Sequence, residues 1–150
     1  MLSIMPHTPA GAAFTDLVLE VLRLNGLLTA AGDRLSAPAG QTSGRWQVMG
    51  CIDDTPRTVA AVARLMGLTR QSVQRTADLL VAEGLAETLP NPEHKRAHLL
   101  RLTVKGQRAL TTIETAQYEW ANGIGAALDE QELRAALRGL ARVTQAVGRG

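Results

Sequence analysis

A run of polar side chains between residues 69 and 75 contains the residue types that hydrogen-bond to nucleic acid. Its polar members are Thr69, Arg70, Gln71, Ser72, Gln74 and Arg75. At helical spacing Val73, Ala77 and Leu80 lie on the other face, so the arginines and glutamines project together. Arginine can donate two hydrogen bonds to guanine, and glutamine can both donate to and accept from adenine. Taken alone, the run is equally compatible with an ordinary solvated helix face.

A second basic cluster, Lys95 and Arg96, lies at the tip of a predicted β-hairpin. Residues 85–89 and 98–102 have the two-residue period of strands, and the prolines between them exclude regular structure. A basic tip beside a helical pair can reach a neighbouring minor groove, where arginine is favoured. Lys95 and Arg96 alone would be ordinary surface charges, but the order of helix, turn, helix and hairpin favours nucleic-acid binding.

Two short helices joined by a tight turn precede the hairpin. Thr58 is a candidate N-cap for the first helix, and Gly67-Leu68-Thr69 turns the chain. Thr69 can cap the second helix, which runs from Arg70 to about Glu83, where Gly84 suits a left-handed C-terminal position. The pattern predicts a helix-turn-helix.

Longer helices are predicted on both sides of this core. The first dozen residues show no period and predict a loose arm over 1–12, followed by an amphipathic helix over about 13–35. Two further amphipathic helices are predicted over about 104–148, separated near Leu128, with Gly123 and Gly125 loosening the end of the first. The sequence therefore predicts a single, mainly α domain over 13–150, with its core at about 43–103 and a two-stranded hairpin.

Length and charge limit the classes of function. The chain has 150 residues, which leaves no room for a second catalytic domain. Residues 55–108 carry nine Lys or Arg against four acids, whereas the flanking parts are slightly acidic. A polyanion is therefore expected to bind this central segment. The opening residues lack signal-peptide features and no apolar run could span a membrane, so a cytoplasmic protein without membrane contact is expected.

The chain resembles the multiple-antibiotic-resistance regulator (MarR) family of winged helix-turn-helix proteins. The resemblance runs from Leu68–Arg75 through Gly84-Leu85 to the segment Arg101–Gly106, and the Pro-containing hairpin tip ends in Lys95-Arg96 as in that family. The resemblance implies a homodimer built from the N- and C-terminal helices, which act as dimerisation helices. It also implies a sequence-specific transcription regulator, a repressor relieved by a small-molecule effector, that binds a pseudo-palindromic operator in double-stranded DNA.

The resemblance assigns roles to particular residues. The helix beginning at Arg70 would enter the major groove, and Arg96 would be the wing arginine directed at the minor groove. The family wing commonly has Asp where this chain has Asn91 and His94, so the carboxylate that would orient the arginine is missing here; Glu93 is a candidate substitute. Relatives bind phenolic or other lipophilic effectors between their dimerisation and DNA-binding parts. The candidate lining residues here are Trp46, Met49, Tyr118 and Trp120, for which core packing is an equal alternative.

Other chemistry finds little support in the sequence. Cys51 is expected to be a buried, unreactive thiol rather than a redox sensor. His7, His94 and His98 have no cysteine or acidic cluster at ligand spacing, so no metal and no cofactor is expected. Without a phosphate-binding glycine loop or a nucleophile beside a base, an enzyme is not expected. The alternative to a DNA-binding regulator is a winged-helix protein-interaction module.

Overall fold

A computed structural model of the chain, which describes residues 5–150, confirms the predicted fold class. The described part is mainly helical, with a two-stranded antiparallel sheet. Its elements are α1 (Pro9–Ser36), a short 3-10 turn (Ala37–Ala39), α2 (Ser43–Cys51), α3 (Val59–Met66), α4 (Arg70–Ala82), β1 (Ala86–Leu89), β2 (Leu99–Leu102), α5 (Val104–Ala126) and α6 (Glu130–Gly148). The described helices include none that is long and apolar enough to cross a membrane.

The chain divides into two compact units, the first ending at Ile113 and the second comprising Glu114–Gly150. The first unit contains α1 to α4, the hairpin and the start of α5. The second contains the rest of α5 and α6. The predicted DNA-contacting residues all belong to the first unit.

Threonine caps start α3 and α4 at the predicted positions. The hydroxyl of Thr58 accepts a hydrogen bond from the backbone N–H of Ala61 at 3.1 Å, and that of Thr69 accepts one from Ser72 at 3.1 Å. Such caps satisfy N–H groups that have no partner within the helix. Between these helices Gly67 has φ 64°, a left-handed conformation that a side chain would disfavour. The turn of the helix-turn-helix therefore depends on this glycine.

One apolar core joins these elements. Its fully buried apolar side chains come from α2, α3, α4, the hairpin and the start of α5, and the largest are Val48, Met49, Ile52, Val62, Val73, Leu80, Leu85, Leu110 and Ile113. Val73, Ala77 and Leu80 form the inner face of α4, as its sequence period predicts. Because this face is fixed in the core, the opposite face of α4 is held towards solvent.

The hairpin is fastened to the end of α4 by backbone contacts. Strands β1 and β2 pair with Ala86 opposite Leu102 and Leu89 opposite Leu99. The Thr103 hydroxyl donates to the carbonyl oxygen of Gly84 at 2.6 Å. Gly106 packs so closely that an added Cβ would overlap the carbonyl oxygen of Leu85. The wing therefore has a fixed base beside α4.

Two details differ from the sequence-based expectations. Helix α1 begins at Pro9, so part of the predicted arm is helical; the Thr8 side chain accepts from Gly11 N at 3.0 Å, and proline is well suited to the first turn. Residues 1–4 of that arm lie outside the described residues. Helix α5 continues through Gly123 and Gly125 to Ala126, because isolated glycines lower helix stability without interrupting the hydrogen bonds.

The apolar faces of α1 and α6 are largely exposed. On α1 the side chains of Phe14, Leu19, Leu22, Leu24, Leu27 and Leu28 are exposed, and on α6 those of Leu133, Leu137, Leu140 and Val147. The apolar face of the last helix is therefore not covered within its own unit, and among the residues of α6 only Gly139 and Val143 are half-buried. Contiguous exposed apolar side chains of this size are typical of interaction surfaces.

Candidate nucleic-acid interface

The polar face of α4 is exposed and its start is well ordered by hydrogen bonds. Thr69, Arg70, Gln71, Ser72, Gln74 and Arg75 are all solvent-exposed. Besides the Thr69 cap, the Ser72 hydroxyl donates to the carbonyl oxygen of Thr69 at 3.0 Å. These bonds order the start of α4. They leave the hydroxyl hydrogen of Thr69 and the long arginine and glutamine side chains as groups available to a ligand.

An open groove of about 460 Å³ separates α4 from the wing. Arg70, Gln71 and Gln74 line it from α4, and Arg96 and His98 line it from the wing. The structure thus brings together predicted site residues from two segments of the sequence. Thr69, Ser72, Arg75 and Lys95 are exposed but do not line this groove.

The arginines of the described chain divide into paired and unpaired groups. Arg45 pairs with Glu83, Arg57 with Asp54, Arg101 with Glu87 and Arg134 with Glu130. Among the described residues Arg70, Arg75, Lys95 and Arg96 make no ion pair. The positive charges of these residues of α4 and the wing tip are therefore not neutralised by neighbouring acids. A polyanion would be attracted most strongly to such charges.

The wing tip is ordered by an amide instead of the missing carboxylate. The side-chain oxygen of Asn91 accepts from the backbone N–H of Glu93 at 3.1 Å, which is an Asx-type turn. The backbone N–H of His94 donates to the carbonyl oxygen of Asn91 at 3.2 Å. Glu93, the candidate substitute, makes no ion pair with Arg96 within the described chain. Asn91 therefore shapes the turn without orienting the arginine.

Sequence reasoning missed three residues that belong to this surface. Thr58 and His98 line the groove, which only the folded arrangement of α3 and the wing reveals. Asp78 accepts a hydrogen bond from the side-chain nitrogen of Gln74 at 2.8 Å. The four-residue spacing of this pair on one helix was a signal present in the sequence.

Glu83 links α4 to its neighbours. Its carboxylate pairs with Arg45 of α2, and one of these bonds, from Nη2 of Arg45, measures 3.2 Å. Its backbone carbonyl accepts from Nζ of Lys105 at 2.8 Å. These contacts hold the C-terminal end of α4 to α2 and to the start of α5.

Cys51 is half-buried rather than fully buried. Burial raises the pKa of its thiol; the positive charge of Arg57 lowers that pKa in part, and Asp54 raises it. Arg57 comes close because its Nε donates to the carbonyl oxygen of Cys51 at 2.8 Å, a neighbour that sequence distance did not reveal. The thiol is thus held in its protonated, less nucleophilic form.

The candidate effector residues fall in both units. In the first unit Met49 is fully buried in the core, with Trp46 packed against it. In the second Trp120 is half-buried and Tyr118 is 62% exposed. The effector pocket stays a prediction. As for metals, the described residues contain no group of three His, Cys, Asp or Glu able to hold an ion.

Comparison with known proteins gives a family match and a relative of similar length. Residues 40–97, which include α2 to α4 and β1, match a family model described as the MarR family. An uncharacterized protein of Mycobacterium tuberculosis is 40% identical over 131 residues, covering 87% of this chain and 92% of that protein. An uncharacterized protein of Mycobacterium bovis matches equally well.

Solved structures share the fold along nearly the whole chain. The regulator BldR of Sulfolobus solfataricus is 15% identical with a TM-score of 0.79, covering 93% of this chain and 99% of that chain. The regulator MosR of Mycobacterium tuberculosis in complex with DNA is 21% identical with a TM-score of 0.72, covering 87% and 96%. A mutant MarR of Escherichia coli complexed with operator DNA is 22% identical with a TM-score of 0.70, covering 85% and 96%. At these identities the likeness concerns the fold.

Proposed function

Since the chain belongs to the MarR family of transcription regulators, we propose that it is a cytoplasmic homodimer that binds double-stranded DNA sequence-specifically. Helix α4 enters the major groove, where Arg70, Gln71, Gln74 and Arg75 meet base edges and backbone, and the wing residues Lys95 and Arg96 reach the adjacent minor groove. Thr69 and Ser72, at the N-terminus of α4, approach phosphates.

One observation carries this proposal: Arg70 of α4 and Arg96 of the wing, neither of which makes an ion pair within the described chain, are exposed cations on the same groove. Arg70 and Arg96 line the same groove although they lie far apart in sequence. An unpaired arginine is a favourable partner for a phosphate or for the negative potential of a narrow minor groove. Ion-paired Arg101, on the same wing, provides an internal contrast.

The homodimer is supported by the exposed apolar faces of α1 and α6. Leu22 is 64% exposed and Leu137 is 67% exposed, and each lies among other exposed apolar side chains of its helix. Burying a leucine side chain stabilises by about 1.5–3 kcal/mol, so several such residues against a second copy provide a substantial driving force. Two-fold symmetry then presents one α4 to each half of a pseudo-palindromic operator.

We further propose that the homodimer represses transcription until a small lipophilic or phenolic effector binds. The effector would favour a conformation whose two α4 helices no longer match the half-site spacing, because it binds that conformation more tightly. Its candidate contacts are Trp46, Met49, Tyr118 and Trp120. Release of labelled operator by phenolic compounds, with loss of that response in Tyr118→Ala, tests this part; release that is equally strong in the variant contradicts the assignment.

The experiment for DNA binding is fluorescence anisotropy on duplexes from the region upstream of the gene, compared with a scrambled duplex over a salt series. We expect tight binding at two chains per site that prefers the upstream DNA and weakens with salt. Gln74→Ala should change base preference more than overall affinity. Sequence-blind or absent binding, followed by failure of randomised DNA selection, would reject this function in favour of a protein-interaction module.

A further inference from the structure

Gln74 is held by a neighbour on its own helix. Its side-chain nitrogen donates to an oxygen of Asp78 at 2.8 Å, one helical turn further along α4. Both residues are exposed, and Gln74 also lines the groove between α4 and the wing. The pair therefore lies on the surface that the proposed function directs at DNA.

The chemistry of the pair allows one orientation of the amide. A carboxylate accepts hydrogen bonds but cannot donate them, whereas a glutamine amide has one accepting oxygen and one nitrogen with two hydrogens. Only the nitrogen of Gln74 can therefore face Asp78. The amide oxygen and the second hydrogen have no partner within the described chain, and the side of the amide on which each lies is fixed before any ligand binds.

From this geometry we infer that Asp78 is a positioning residue that makes Gln74 specific for adenine; this inference rests on the proposed function. In the major groove adenine presents the N7 acceptor and the N6 donor, which match the remaining hydrogen and the oxygen of Gln74. Guanine presents two acceptors, N7 and O6, and the fixed oxygen of Gln74 would face one of them. An unrestrained glutamine can turn its nitrogen towards guanine and so loses this discrimination.

A purely structural role for Asp78 makes a different prediction. Glutamine and aspartate four residues apart stabilise a helix slightly, and losing that contribution would affect all DNA sequences alike. Losing the negative charge of Asp78 would also strengthen binding to every duplex. Neither effect changes which base is preferred, so base preference separates the positioning role from both.

The test is randomised DNA selection followed by titration of single-base variants with the full-length chain. Gln74→Ala first identifies the base pair that Gln74 reads, as the position whose preference disappears. Wild type should prefer adenine over guanine there by roughly tenfold, within the range of one good bidentate contact. Asp78→Ala should reduce that preference to about twofold or less, and Asp78→Glu, which restores an acceptor-only group, should recover most of it.

Two controls isolate the contact. Asp53→Ala removes the same charge from an exposed position between α2 and α3 and should retain the wild-type preference. Adding Asp78→Ala to Gln74→Ala should have no further effect on preference, because the residue through which Asp78 acts is gone. Circular dichroism checks that each variant keeps its helices.

The outcomes are distinct. Retention of the full adenine preference in Asp78→Ala overturns the positioning role, as does a Gln74→Ala variant that selects the wild-type motif unchanged. A wild-type preference for guanine at that position overturns it as well. Selection of no motif by wild type rejects the proposed function, and with it any inference about base preference.

Discussion

Replacing Arg96 with glutamine should reduce the salt dependence of DNA binding by a calculable amount. The unpaired cations of the proposed interface are Arg70, Arg75, Lys95 and Arg96 in each chain, so a homodimer presents about eight. The logarithm of the binding constant falls with the logarithm of the salt concentration, with a slope of about −0.9 per neutralised phosphate charge. The wild-type slope should therefore be about −7.

Arg96→Gln removes two of these charges per homodimer and should leave a slope of about −5. Raising salt from about 50 to 200 mM should then weaken wild-type binding by about 10⁴-fold and the variant by only about 10³-fold. Arg75→Gln should change the slope by a similar amount. The assay is equilibrium anisotropy on one duplex at five or more salt concentrations.

The matched control removes a wing arginine without changing the net charge. In the double variant Glu87→Gln with Arg101→Gln both members of the wing's ion pair are lost together, so its slope should equal that of wild type. Slopes for Arg96→Gln and Arg75→Gln that match wild type would refute the argument that unpaired cations of α4 and the wing meet DNA phosphates. A reduced slope for the control would refute the division into paired and unpaired arginines.

Three further expectations concern assembly, stability and the thiol. Leu137→Glu should convert homodimers to monomers in light scattering after gel filtration and weaken operator binding, because it buries a charge in the apolar face of α6; Gln131→Glu, on the opposite face, should not. Gly106→Ala should lower the free energy of unfolding by about 1–3 kcal/mol in urea titrations, since the added Cβ overlaps a backbone carbonyl. The control Gly123→Ala, whose added Cβ would lie in open space, should be neutral or stabilising by up to about 1 kcal/mol. Cys51, whose pKa is raised by burial, should react with iodoacetamide at pH 7.5 more slowly than in the urea-unfolded chain; equal rates would contradict its protonated state.

Local signals predicted the helix-turn-helix well. A threonine before an apolar period marks a helix start because its hydroxyl satisfies free N–H groups, and Thr58 and Thr69 do this in the structure. Gly67 marks the turn because its backbone is left-handed. These features depend on a few neighbouring residues, so they can be deduced without knowing the rest of the fold.

The composition of the groove could be predicted only in part. The period of α4 showed that Arg70 and Gln74 point away from the core, and the hairpin tip identified Arg96. That His98 and Thr58 border the same groove depends on the way the wing and α3 are fixed around the core, which involves residues distant in sequence. The contact between Arg57 and Cys51 was missed for the same reason, because the loop after α2 brings the guanidinium of Arg57 to the backbone carbonyl of Cys51.

The apolar period of α6 shows where sequence reasoning meets a physical limit. Leucines at three- and four-residue steps say that one face avoids water, but they do not say whether the chain itself or a second chain covers that face. In the structure Leu133 and Leu137 are exposed, whereas packing into a core of the second unit would have buried them. A helix bearing such a face is costly to leave in water, so these exposed leucines are an argument for a partner chain. On this reasoning homodimer formation and the stability of α6 are coupled. Leu137→Glu should therefore lower the helix content as well as the mass of the particle in solution, from that of a dimer to that of a monomer.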